Sequence, residues 1–206
     1  MPDVPPRSER TARMNTTRPS YIVGVGGSAG ALNAYKALLE SLTVDTGMAF
    51  VIISHITPDA YSQLALILSR CSTMPTIVAA SGMPVWANCV YVIPANADLE
   101  IEEFTFKVIS PRSRRNAQID LFFASLAAAM GEYAIGIVLS GYAGDGTLGV
   151  QYIKEKGGTT FAQDSSAEVE SMPTRAQAST YVDFVLAPEK IAEALMQIGS
   201  RFVRSV

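Results

Sequence analysis

Three side chains with the chemistry of acyl transfer each follow an apolar run: Ser28 after Y-I-V-G-V, His55 after M-A-F-V-I-I-S, and Asp145 after A-I-G-I-V-L-S. A serine hydroxyl is a weak nucleophile until a neighbouring base takes its proton. The base in turn needs a group that fixes its tautomer and stabilises the imidazolium. His55 is the only histidine in the chain, so a site of this kind has no other imidazole to use.

The glycines around Ser28 admit two readings. Gly26, Ser28 and Gly30 fit the nucleophile-elbow spacing G-x-S-x-G, whereas Gly24, Gly26 and Ala29 fit the dinucleotide-binding spacing G-x-G-x-x-A. A dinucleotide site also needs an acid at the carboxyl end of the second strand, where it bonds the ribose hydroxyls. Asp45 precedes that strand, and the carboxyl end carries Ser54 and His55 instead. Plainer roles stand beside the catalytic ones. G-x-S-x-G can be a simple turn in a chain with 15 glycines, a lone histidine can be a hydrogen-bonded structural residue, and Asp145 can cap the helix after it.

The elements that must position these residues follow from hydrophobic periodicity. Tyr21 to Val25 reads as a strand, Gly24 to Gly30 as a turn, and Leu32, Tyr35, Leu39 and Leu42 as a helical stripe. Met48 to Ser54 is a second buried strand, Pro58 and Asp59 open a helix reaching Ser69, and Thr76 to Ala79 is a third strand. This alternation predicts an α/β fold with a mainly parallel sheet and helices on both faces. Cys89 to Ile93, Leu99 to Glu102 and Phe104 to Ile109 lie too close together for helices between them, which suggests a small antiparallel section at one edge. The alternation resumes with a helix over 119–130, strand Ala134 to Ser140, the turn G-Y-A-G-D-G, a helix to Lys156 and a strand near Thr159 to Ala162. A short helix after Pro173, strand Val182 to Leu186 and a last helix follow. Ligands and catalytic groups of open α/β sheets gather at the carboxyl ends of strands, and Ser28, His55 and Asp145 are all predicted on that edge.

Composition bounds the rest. With 206 residues, 49% of them hydrophobic, the chain can bury one sizeable core. Residues 1–20, with four arginines and four prolines, read as a flexible tail ahead of a domain over 21–206. A net charge of −3 carries no footprint for nucleic acid, and no apolar run has the length of a membrane span, so neither nucleic-acid binding nor membrane insertion is expected. The chain begins with no signal-like stretch, which makes a cytoplasmic location the default. Cys71 and Cys89 read as structural thiols, and with a single histidine no metal site or other cofactor is expected.

Taken together in order, I-V-G-V-G-G-S-A-G-A, I-I-S-H-I, V-Y-V-I-P-A-N-A-D-L, Q-I-D-L-F-F, V-L-S-G-Y-A-G-D-G-T-L-G and F-A-Q-D followed by S-M-P resemble the catalytic domain of the chemotaxis methylesterases, CheB, from about Tyr21 to Leu195. The resemblance implies a doubly wound sheet and hydrolysis of glutamyl methyl esters on methylated chemoreceptors or a related helical signalling protein, with glutamine deamidation in many members. It assigns nucleophile, base and orienting acid to Ser28, His55 and Asp145. Ala29, Tyr142 and Met172 become candidates for the oxyanion hole or substrate pocket, and Asp120 and Asp164 are read as structural polar residues; the basic loop of Arg112, Arg114 and Arg115 reads first as a solvated loop, with contact to an acidic methylation region as the alternative.

Two departures stand out. The family reads S-T-G where this chain has Ser28-Ala29-Gly30, and G-M-G-x-D-G where it has Gly141 to Gly146 with Tyr142 and Ala143 in second and third place. A typical member also carries an N-terminal receiver domain, for which twenty residues leave no room. D-T-G-M-A-F-V and G-T-L-G are closer to the esterase segment of methylesterase–methyltransferase fusions, so the sequence is either a stand-alone protein or a piece of a larger one. The alternative function is a catalytically weak or inactive relative that binds a signalling partner. A nucleotide-binding protein is the third reading.

Overall fold

The computed structural model describes residues 16–55 and 61–203, which leaves the helix start at Pro58 and Asp59 and most of the expected tail outside the described residues. The chain runs β1 (Tyr21–Gly27), α1 (Ala31–Glu40), β2 (Met48–Ser54), α2 (Tyr61–Cys71), β3 (Thr76–Val78), β4 (Cys89–Val92), then β5 (Asp98–Glu102) and β6 (Thr105–Ile109). It continues through α3 (Gln118–Met130), β7 (Ala134–Val138), α4 (Thr147–Glu155), β8 (Thr159–Gln163), α5 (Ser171–Ala178), β9 (Phe184–Leu186) and α6 (Pro188–Val203).

Seven strands form one sheet in the order β3-β4-β2-β1-β7-β8-β9, and every pair within it is parallel. The chain leaves β1 toward β2 on one side and returns to β7 on the other. The crevice at the carboxyl end of β1 is therefore the topological switch point, where ligands of such sheets bind. Because side chains alternate along a strand, Ile22 faces a core shared with Phe122, Phe123 and Leu126 of α3, while Val23 and Val25 face Tyr35 and Leu38 of α1 and Leu195 of α6. Each such fully buried side chain contributes about 1.5–3 kcal/mol, and the two layers account for helices on both faces.

Three differences from the sequence reading have physical causes. Cys89–Val92 is an inner strand parallel to both β2 and β3. All four of its residues are buried, as expected of a strand covered on both faces. The antiparallel pair is β5 with β6 alone, in a separate two-stranded sheet against α3. Residues 17–20 belong to the folded body: Ala87 donates its N–H to the Thr17 carbonyl at 2.9 Å, and the Ser20 hydroxyl donates to the Gly47 carbonyl at 3.0 Å. Helix α5 begins at Ser171, ahead of Pro173, because a proline in the first helical turn gives up no helical hydrogen bond.

The glycines of β1 make room for a neighbouring helix. A Cβ on Gly26 would lie 2.5 Å from Ile119 Cγ2, and one on Gly24 would lie 2.7 Å from the Phe123 ring, so α3 packs directly on the backbone of β1. The spacing that resembled a phosphate loop is thus a packing device. Its consequence for function is that the N-terminus of α3 reaches the switch point.

Candidate active site

Strand register places the first two candidates side by side. Gly27 pairs with Ser54 across β1 and β2, so Ser28 and His55 leave adjacent strands at the same level. Ser28 donates its backbone N–H to the Ser140 carbonyl at 2.9 Å, which ties it to the third chain segment, just beyond β7. Asp145 sits at the far end of that segment, and its Oδ2 lies 2.5 Å from His55 Nε2. The fold therefore brings Ser28, His55 and Asp145 together from three neighbouring strands, β2, β1 and β7.

The Asp145 side chain is fully buried. Oδ2 accepts from His55 Nε2 and from the N–H of Ile119 at 3.1 Å, while Oδ1 accepts from the N–H groups of Asp120 at 2.9 Å and Gly146 at 3.0 Å. Ile119 and Asp120 belong to the first turn of α3, whose N–H groups have no partner within the helix. A buried carboxylate with this many donors has one orientation. Because a carboxylate only accepts, Nε2 carries the imidazole proton, and Nδ1 is left as the basic nitrogen.

The turn after Ser28 is held from behind. Gly30 adopts φ 70°, and a Cβ there would meet the Ser140 hydroxyl and the Glu168 side chain at 2.8 Å each, so glycine is required. Ser140 Oγ donates to the Ala29 carbonyl and accepts the Val169 N–H, both at 2.9 Å, while the Ser140 N–H donates to Gln163 Oε1 at 3.0 Å. Ser140 and Gln163 are both buried and were not singled out by sequence reasoning. Their only signal there was membership of V-L-S-G and F-A-Q-D.

Ala29 is the residue after the serine, and among the described residues its N–H donates to no backbone acceptor. That leaves it available to an oxyanion. Tyr142 is 66% exposed on the turn preceding Asp145. Met172 is fully buried, and a Cβ on Gly141 would lie 2.6 Å from Met172 Cε and 3.1 Å from Ser28 Cβ. Met172 and Ser28 therefore both lie close against Gly141. Ser28 and Ser54 line a cleft of about 240 Å³ together with Leu32, Tyr35, Gln63, Leu64 and Ile67, a largely apolar slot. A larger cleft of about 750 Å³, between the β5–β6 hairpin and α3, contains none of the three candidates.

Ala143 has φ 69°, the left-handed region that costs a non-glycine residue about 1–2 kcal/mol. It occupies the third place of the turn, where the CheB pattern has glycine. We expect Ala143→Gly to stabilise the protein by about 1 kcal/mol, after allowance for glycine's freedom in the unfolded chain. Thermal unfolding checks this, and an unchanged or lower midpoint would count against strain at this residue.

A strand-end serine beside a buried histidine–carboxylate pair, at the switch point of an open parallel sheet, is an arrangement suited to serine-hydrolase chemistry. The CheB methylesterase family model matches residues 23–195, and the chain belongs to that family. A Leptospira interrogans relative named for protein-glutamate methylesterase and protein-glutamine glutaminase activity is 33% identical over 178 residues, covering 84% of this chain and 92% of its own. The Burkholderia thailandensis protein-glutamate methylesterase/protein-glutamine glutaminase 3 is 32% identical over 184 residues, covering 86% of this chain. The chain spans about half (51%) of that longer relative. The catalytic domain of Thermotoga maritima CheB methylesterase superposes with a TM-score of 0.80 at 25% identity, over 86% of this chain and 98% of that domain.

Proposed function

We propose that this chain hydrolyses glutamyl methyl esters on a methylated chemoreceptor or similar helical protein, and deamidates glutamines at such sites, with Ser28 as nucleophile, His55 as base and Asp145 as orienting acid. The observation that carries the reading is the 2.5 Å contact of His55 Nε2 with buried Asp145, at the level of Ser28, in a chain of the CheB methylesterase family. Ser28 Oγ attacks the ester carbonyl as its proton passes to His55 Nδ1. Asp145, on Nε2, steadies the imidazolium. The oxyanion is held by the Ala29 N–H, and methanol departs with the proton from Nδ1. Water then attacks the acyl-enzyme, losing its proton to His55; as the acyl–Oγ bond breaks His55 returns that proton to Ser28 Oγ, and the released glutamate acid ionises to its carboxylate; from glutamine the first leaving group is ammonia.

The test is methanol release from methyl-esterified receptor by the purified chain. Steady release supports the reading, and its absence under conditions where a known methylesterase acts would overturn it. Among the described residues, no helix is long and apolar enough to cross a membrane.

A charged rim supports an anionic partner. Arg114 and Arg115 are exposed on the loop that leads into α3, and among the described residues neither is in an ion pair. The loop is anchored next to the site: Gln118 Nε2 donates to the Arg114 carbonyl at 2.5 Å and to Asp98 Oδ1 at 2.9 Å, and Asp98 Oδ2 accepts the Ser113 N–H at 2.6 Å. Burial pushes the Asp98 carboxyl up, but the bonds from Ser113 and Gln118 and the nearby Arg112 outweigh it and hold the acid below its ordinary range. Replacing Arg114 and Arg115 together by alanine should raise KM for receptor several-fold and leave kcat unchanged. The difference should vanish near 1 M salt, where the screening length falls to about 3 Å. Equal KM values at low salt would remove the rim from substrate recognition.

A further inference from the structure

We propose that Asp120 is a positioning residue for this reaction: its carboxylate forms a crossed pair with Asp145 that aims Asp145 at His55 and adds a second negative charge behind the imidazole. The proposal rests on the serine-hydrolase reading above.

Helices α3 and α4 begin at the same place, and each has its free N–H groups taken by an acid carried on the other. Asp145, two residues before α4, accepts the N–H groups of Ile119 and Asp120 in the first turn of α3. Asp120, in that first turn, accepts the N–H groups of Gly146 at 2.9 Å and Gly149 at 2.7 Å, at the start of α4. The Gly146 N–H is shared between the two acids, lying 2.9 Å from Asp120 Oδ1 and 3.0 Å from Asp145 Oδ1. Close approach of the helices is built in, since a Cβ on Gly149 would lie 2.7 Å from Phe123 Cβ.

Aspartate is itself a favoured group at a helix start, but here the capping carboxylate is also held against a second one through the Gly146 N–H that both accept. Burial, and the like charge of Asp145, push the Asp120 carboxyl up to about 6 against the opposing bonds from Gly149 and Gly146. Among the described residues Asp145 is the one charged group acting on it; α4 offers only backbone N–H groups, and His55 lies on the far oxygen of Asp145. When the proton moves from Ser28 to His55, Asp145 at 2.5 Å stabilises the imidazolium directly, and the Asp120 carboxylate held behind it through the shared Gly146 N–H adds negative charge of the same sense from farther off. As pH falls through about 6, Asp120 takes up a proton, and the second charge is lost.

Two variants separate positioning from capping. Asp120→Asn keeps an oxygen for Gly146 and Gly149 but not the charge, and Asp120→Ala removes both. His55 is the single histidine, so its imidazole can be followed alone by NMR as pH is varied. In Asp120→Asn the midpoint of that titration should move to lower pH, kcat should fall about 3–10-fold with KM unchanged, and the acid limb of kcat should shift to lower pH. In Asp120→Ala kcat should fall about 10–100-fold, because the turn carrying Asp145 loosens. An Asp120→Asn imidazole that titrates as in the wild type overturns the charge role. A folded Asp120→Ala protein with wild-type kcat overturns the positioning role. The titration is read without substrate, so it decides whether Asp120 acts on His55 even if ester hydrolysis is not found.

Discussion

Ser28→Ala should lower kcat for ester hydrolysis by roughly 10⁴-fold or more, with KM for receptor little changed, if Ser28 is the nucleophile proposed above. The size follows from what is removed. Without Oγ there is no acyl-enzyme, and water must attack the ester directly, with His55 placed to serve a different oxygen. What remains is the oxyanion donor at Ala29 and the binding of substrate, and in serine hydrolases such remnants retain only about 10³–10⁴-fold of catalysis over water. Folding should survive the change. Ser28 is anchored by its backbone N–H on Ser140, and among the described residues its hydroxyl donates to no partner. Two measurements check the prediction together: methanol release from methylated receptor, and covalent labelling by a fluorophosphonate, which should mark Ser28 in the wild type and nothing in the variant. Turnover within tenfold of wild type by a folded Ser28→Ala protein would move the nucleophile elsewhere.

The parts of this site that were legible in the sequence share a property: each catalytic candidate stands on the turn that follows an apolar run. Such runs become strands, strands of an open parallel sheet present their carboxyl ends together, and so Ser28, His55 and Asp145 could be placed on one edge before any contact was known. The supporting residues lack that marker. Ser140 and Gln163 act through side-chain hydrogen bonds to the backbone of the turns, and nothing periodic distinguishes a buried polar residue that holds a loop from one at a surface. Asp120 was read as structural because its carboxylate serves a helix far along the chain. The packing of α3 on Gly24 and Gly26 of β1 and on Gly146 and Gly149 at the start of α4 brings the two helix starts together.

The fold shows the same division. Cys89 to Ile93 is an unbroken apolar run, the pattern of a strand buried on both faces. Its neighbours at 98–109 alternate, and their proximity drew it into an antiparallel reading. The order of strands in a sheet is set by crossovers, which leave no trace in local periodicity. The glycines of β1 are a second case: sequence shows that the chain can turn there, while their use as a seat for α3 depends on a partner about a hundred residues away.

Asp145→Asn should lower kcat by roughly 10⁴-fold while leaving Ser28, His55 and the oxyanion donor in place. An asparagine matches the shape of aspartate but brings one acceptor and one donor where the site supplies donors on every side: His55 Nε2, Ile119, Asp120 and Gly146. Two orientations are open to it. With the amide NH₂ toward Asp120 and Gly146, donor faces donor at Oδ1's former position, and the carbonyl keeps His55 without the negative charge that steadied the imidazolium. With the NH₂ toward His55, it donates to Nε2, the imidazole proton moves to Nδ1, and the base that should receive the Ser28 proton already carries one. The second orientation sets only Ile119 against the new donor, so it costs less and is the one we expect. Slow fluorophosphonate labelling at an intact Ser28, with KM unchanged and the labelling rate reduced in parallel with kcat, is the expected result. A variant that labels and turns over within tenfold of wild type would mean that the imidazole keeps its tautomer without the carboxylate, and that Asp145 serves α3 as a cap rather than His55 as its orienting acid.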